Sequence, residues 1–87
     1  MKGFVYILYS PISDRYYVGS TSNIQRRLFQ HLCGYSHSTR RMKEMQLALV
    51  QEYESLLQAR RVERRIKDWK NKKYIDRIVR EGKIRIR

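Results

Sequence analysis

The run Phe4-Val5-Tyr6-Ile7-Leu8-Tyr9 constrains this chain most. Neither set of alternate positions is polar, so an extended segment here is apolar on both faces. Such a strand needs cover on both sides, which places it at the centre of a sheet. The chain has 87 residues, enough for one small domain, 1–87, with a modest core.

The segments after this run supply the cover. Ser10-Pro11-Ile12-Ser13-Asp14-Arg15 carries turn chemistry. Tyr16 to Ser20 favours a strand, so the two runs form an antiparallel hairpin with a loop of about five residues. Gly19 lacks a Cβ and permits close backbone approach or a sharp exit. Ser20, Thr21, Ser22 and Asn23 are helix-capping residues, and Ser22 with Gln25 has capping-box spacing. A helix is expected from about Asn23 to Leu32, with Ile24, Leu28 and Leu32 on one stripe and Gly34 as a stop signal. Tyr35 to Lys43 is polar, basic and aperiodic, hence a surface loop. Gln46 to Tyr53 reads as a third strand.

From Ser55 the period turns helical. Ala59, Val62, Ile66 and Trp69 make an apolar face, opposite Arg60, Arg61, Arg64, Arg65 and Lys67. After a break near Lys70-Asn71, Tyr74, Ile75, Ile78 and Val79 continue at helical spacing until Gly82. Lys83 to Arg87 is either an edge strand or a loose basic tail. The order hairpin, helix, strand, helix, helix gives an α+β layer in which a three-stranded sheet is sandwiched by helices.

Lys and Arg total 20 against 8 Asp and Glu, a formal charge of +12, with pI near 10.4. A polyanionic partner is expected, DNA or structural RNA. No basic helix pairs its charge with a fully apolar face, which argues against a membrane surface. The longest apolar run is far too short to span a bilayer, and it lacks the length and cleavage pattern of a signal peptide. Cys33 is the sole cysteine, so no internal disulfide forms, and a reducing, cytoplasmic setting is expected. One Cys and two His exclude a Cys/His metal centre. No glycine loop for phosphate and no Ser/His/Asp hydrolase motif is present.

Five side chains carry candidate chemistry. Glu63 borders the apolar face of its helix beside Ala59 and Ile66. A lone carboxylate there can hold Mg²⁺ with water and phosphate completing the shell, or make a plain i,i+4 pair with Lys67. Tyr6 and Tyr17 lie in adjacent strands and can share a face. A phenol serves as general base if nearby cations lower its pKa, and otherwise packs with a hydrogen-bonded tip. Arg27 suits a phosphate clamp, or general electrostatics in a basic chain. His31, four residues on, suits proton shuttling or phosphate donation, or has no role. His37 in the loop receives no assignment.

These residues together resemble the GIY-YIG nucleases. Val5-Tyr6 and Tyr17-Val18-Gly19 are similar to that family's two signature tripeptides, with Phe4 replacing the first glycine and Val18 the isoleucine. An arginine ten residues after the second tyrosine is Arg27, and the histidine found one turn later in part of the family is His31. The family's metal-binding glutamate matches Glu63 in ARRVERRIKDW. The resemblance is strongest to small stand-alone proteins similar to the N-terminal nuclease domain of the DNA-repair excinuclease. It implies a central three-stranded antiparallel sheet flanked by helices, one divalent ion (Mg²⁺ or Mn²⁺) on Glu63, and phosphodiester hydrolysis. In that reading Tyr6 or Tyr17 helps deprotonate water, Arg27 stabilises the transition state, and His31 assists or orients the nucleophile. Gly19 lets the backbone approach phosphate. Arg26, Arg40, Arg41 and Lys67 are the further candidate contacts to nucleic acid. Some members carry an asparagine on the last helix; here that position is Ile75, with Asn71 one turn earlier.

Three readings compete on the sequence. The first is a metal-dependent DNA endonuclease, with branched, flapped or damaged DNA as candidate substrates in repair or recombination. The second is a nucleic-acid-binding module of little activity, and the third a basic partner of ribosomal RNA. Binding alone does not require the Tyr17, Arg27 and Glu63 set.

Overall fold

The computed structural model describes residues 2–32, 46–69 and 71–84, the side chains of residues 31 and 32 excepted. The element order is β1 (Gly3–Ser10), β2 (Arg15–Thr21), α1 (Ile24–Leu32), β3 (Gln46–Tyr53), α2 (Leu56–Trp69) and α3 (Lys72–Glu81). The strands form a three-stranded sheet in the order β2-β1-β3, both pairings antiparallel. The apolar run in β1 therefore does occupy the centre, with Val5 and Ile7 fully buried and Tyr6 and Leu8 nearly so. The expected loop 35–43, Gly34, Cys33, His37, Arg40 and Arg41 lie outside the described residues.

Register assigns the faces. Val5 pairs with Ser20 and Gln51, and Ile7 with Val18 and Leu49. Paired residues share a face, so these belong to one side of the sheet. α2 lies on that side, where Ala59, Val62 and Ile66 join Val5, Ile7, Leu49, Tyr53, Ile78 and Ile84 in the core. Each fully buried aliphatic side chain of this kind contributes about 1.5–3 kcal/mol. Close approach of α2 depends on Gly3, because a Cβ there would stand 2.6 Å from Leu56 Cα and 2.6 Å from Ser55 O. Tyr6, Gly19, Leu8 and Tyr17 occupy the other side.

Several local expectations need correction. The cap of α1 is Asn23, not Ser22: Asn23 Oδ1 accepts the Arg26 N–H at 3.0 Å, while Thr21 Oγ1 accepts the Asn23 N–H at 3.1 Å. The capping box therefore does not form, since the turn at Thr21 carries the chain one residue further before the helix begins. Trp69 is not part of the buried face. It is 41% exposed at the end of α2, its ring edge-on to Tyr74 with centroids 4.3 Å apart. The start of the 83–87 segment is neither strand nor loose tail. Ile84 is buried, and its N–H and carbonyl both bond the Gln51 amide, at 2.7 and 3.0 Å. β3 also carries a register shift opposite Ile7/Leu8, which skips Ala48.

α3 starts and stops as its sequence directs. Asn71 accepts the Tyr74 N–H, and Gly82 takes the left-handed conformation at φ 76°, returning its N–H to Ile78 and Val79. A polar network ties this helix to the hairpin. The Tyr16 phenol donates to Asp76, Lys72 pairs with Asp14, and the Tyr9 phenol donates to Asp14 at 2.6 Å.

Candidate active site

Tyr6 is the central group. It pairs with Gly19 on the edge strand β2, and its ring lies where a side chain at residue 19 would stand. The phenol thus extends across β2 towards the sheet edge. Gly19 has a reason in this structure beyond backbone approach to a phosphate: it makes room for Tyr6.

Glu63 reaches the same edge from the opposite side of the sheet. Ser20 faces α2, as its pairing with Val5 requires, and its hydroxyl donates to Glu63 Oε1. The Lys67 ammonium lies 2.7 Å from Oε2. Glu63 is therefore both the i,i+4 partner of Lys67 and a carboxylate set at the core border, its side chain 20% exposed. Lys67, a candidate nucleic-acid contact, is committed to that ion pair while remaining half exposed.

Electrostatics bring in the third group. Burial raises the Tyr6 pKa above its ordinary value, the Arg27 guanidinium opposes that rise, and the Glu63 carboxylate adds to it. Arg27 and Glu63 therefore both act on one phenol, from α1 and α2. The condition for a Tyr6 base, a pKa brought down by cations, is not met in the resting protein, because burial outweighs Arg27. Tyr6 holds its proton at neutral pH.

Tyr17 shares the Tyr6 face, one pair further along, opposite Leu8. No hydrogen bond joins it to Glu63 or Arg27 among the described residues. It lines an open groove of about 390 Å³ between the hairpin turn and α3, with Arg15, Asn71, Lys72 and Ile75. Arg26 and Arg27 line a second, polar hollow of about 310 Å³ with Thr21, Ser22, Asn23 and Gln30. His31 lies on α1 one turn after Arg27, its side chain outside the described atoms. Asn71 spends its side-chain oxygen on the α3 cap.

The sequence matches the family model of the GIY-YIG catalytic domain over residues 2–75. The chain belongs to the GIY-YIG family. Comparison with curated proteins finds no match, and comparison with solved structures finds none. The GIY-YIG family is one of nucleases, so its substrate is a nucleic acid. The match spans all three strands, α1, α2 and the start of α3, and so takes in Tyr6, Tyr17, Arg27 and Glu63.

The donor set fits one hard cation held by a single carboxylate. Among the described residues no three His, Cys, Asp or Glu side chains gather as a cage. Glu63 Oε2 meets the ammonium of a half-exposed lysine, and Mg²⁺ characteristically takes one or two carboxylates plus water and phosphate oxygens.

Ser20 is the site residue that capping chemistry hid. Its signal was alternation: with Val18 facing the core, Ser20 faces the same way, and a hydroxyl there meets a helix.

Proposed function

We propose that this GIY-YIG protein is a divalent-metal-dependent DNA endonuclease that hydrolyses a phosphodiester bond, with branched, flapped or damaged duplexes as its substrates in repair or recombination. The observation that carries the reading is that the Arg27 guanidinium, on α1, and the Glu63 carboxylate, on α2 and bonded to Ser20 beside Gly19, both act electrostatically on the Tyr6 phenol. Packing alone has no use for that convergence of a cation, an anion and a phenol from three elements.

Each side chain then has a part. Glu63 is the residue that holds Mg²⁺ or Mn²⁺, and the bound ion supplies charge neutralisation at the phosphate and a more acidic water. Arg27, exposed on α1, presents its guanidinium to the phosphate oxygens and offsets charge as it builds. Tyr6, protonated, orients the water or a phosphate oxygen through its hydroxyl. Tyr17, on the same face, is the remaining phenol for the base role. His31 orients the nucleophile. Arg26 and the exposed Arg60, Arg61, Arg64 and Arg65 hold the backbone of the duplex.

A panel of linear, nicked, flapped and branched duplexes with Mg²⁺ or Mn²⁺ tests this. The wild type cleaves at least one, and Glu63→Ala reduces cleavage to background while binding persists. Equal turnover by Glu63→Ala refutes the reading. Binding that falls steeply with salt, without cleavage of any substrate, identifies a nucleic-acid-binding module instead.

A further inference from the structure

We infer that Ser20 is a positioning residue for Glu63, selecting which carboxylate oxygen meets the cation. This rests on the reading of Glu63 as the metal-holding residue. A glutamate side chain has three rotatable bonds, so a lone carboxylate on a helix offers no fixed direction. Here the two oxygens are differentiated. Oε1 accepts the Ser20 hydroxyl, and Ser20 is fixed on β2 by its pairing with Val5 in the buried centre of the sheet. Oε2 points to Lys67, a half-exposed side chain on the same helix as Glu63.

The anchored oxygen is bound to the sheet, whereas the other, among the described residues, is held by an ammonium that solvent can reach. Glu63 would therefore hold a cation through Oε2, in exchange for Lys67, whose ammonium would then be left to meet a substrate phosphate. Ser20 contributes no ligand. It keeps Glu63 turned towards β2, the strand that the Tyr6 ring crosses at Gly19. Partners that orient a metal ligand in this way are typically worth about 10–100-fold in metal affinity or activity.

The test is an Mg²⁺ titration of the full chain without DNA, followed by the amide NMR shifts of Gly19, Ser20 and Glu63. Wild type and Ser20→Thr, which keeps the hydroxyl, saturate at similar Mg²⁺. Ser20→Ala needs about 10–100-fold more, and Ser20→Cys, a weak donor, falls between. In cleavage assays Ser20→Ala loses rate at limiting Mg²⁺ and recovers it at high Mg²⁺, with KM for DNA unchanged. The spectra themselves show whether each variant is folded. An unchanged midpoint in Ser20→Ala, or equal impairment in Ser20→Thr, overturns the inference. Glu63→Gln separates the two claims. If it abolishes the Mg²⁺ response while Ser20→Ala leaves it intact, only the Ser20 role fails. If Glu63→Gln keeps the wild-type response, the assignment of the cation to Glu63 fails, and the Ser20 role with it.

Discussion

The Tyr6 phenol occupies the space that a side chain at residue 19 would need: a Cβ on Gly19 would lie 2.3 Å from the phenolic oxygen and 2.4 Å from Cζ. These two residues are cross-strand partners, so the conflict cannot be relieved by sliding the strands without breaking the register. Gly19→Ala is expected to displace the ring, destabilise the fold by about 1–3 kcal/mol as overpacking does, and abolish cleavage. In Tyr6→Ala the added methyl at 19 no longer meets the ring, so Gly19→Ala on that background costs little. Urea unfolding of the four proteins in this cycle checks the coupling. Additive losses would show that the two positions do not collide.

The Tyr6 proton reports on both charged neighbours. Its pKa is raised, first by burial, with Arg27 lowering it and Glu63 raising it. Removing the anion must therefore bring the pKa down, and removing the cation must push it up. Titration of the Tyr6 ring by NMR is expected to move down in Glu63→Gln and up in Arg27→Met. A value indifferent to both substitutions would place neither charge near the phenol.

Part of this site was open to reading along the chain and part was not. β1 was legible as the central strand because Val5, Tyr6, Ile7 and Leu8 leave no polar face. Glu63 and Arg27 stood out because their spacing along helices, and from Tyr17, is a one-dimensional property. The Ser20–Glu63 bond joins residues 43 apart in sequence, and only the register of β2 against β1 puts that hydroxyl under α2. Asn23 rather than Ser22 caps α1 because Thr21 turns the chain first, a competition among four adjacent capping residues that composition does not resolve. Trp69 fits the apolar period of α2, but the helix ends there, and the ring rests on Tyr74 instead of the core. The resting protonation of Tyr6 depends on its burial beneath neighbouring elements, which spacing does not give.

Tyr16 gives a stability prediction at high pH. Burial, followed by its hydrogen bond to Asp76, pushes its pKa from 10.0 up to about 12. The folded value lies above the unfolded one, so the fold favours the neutral phenol. That contribution is whole below the unfolded pKa and is lost as pH rises from 10.0 to about 12. Urea midpoints measured across this window are expected to fall in the wild type and to fall less in Tyr16→Phe. Identical slopes would contradict the account of the hairpin–α3 network.

Asn71 separates a structural role from a functional one. Its side chain caps α3 through the Tyr74 N–H at 3.4 Å. Asn71→Ala is expected to cost about 1 kcal/mol, the usual loss of a helix cap, and to leave the cleavage rate of the folded protein unchanged. A cleavage defect with unaltered stability would instead attach Asn71 to the site, through the groove it shares with Tyr17.

The central claim is that Arg27 and Glu63, the two charges that act on the Tyr6 phenol, work on one phosphate. Groups that work as a unit lose their effect together, so their losses do not multiply. Single-turnover cleavage of one duplex in Mg²⁺ by wild type, Arg27→Met, Glu63→Gln and the double variant measures this directly. The expected result is cleavage by the wild type, a large loss in each single variant, and a double variant no slower than the slower single one. Losses that multiply, or singles that cleave as fast as the wild type, would contradict it.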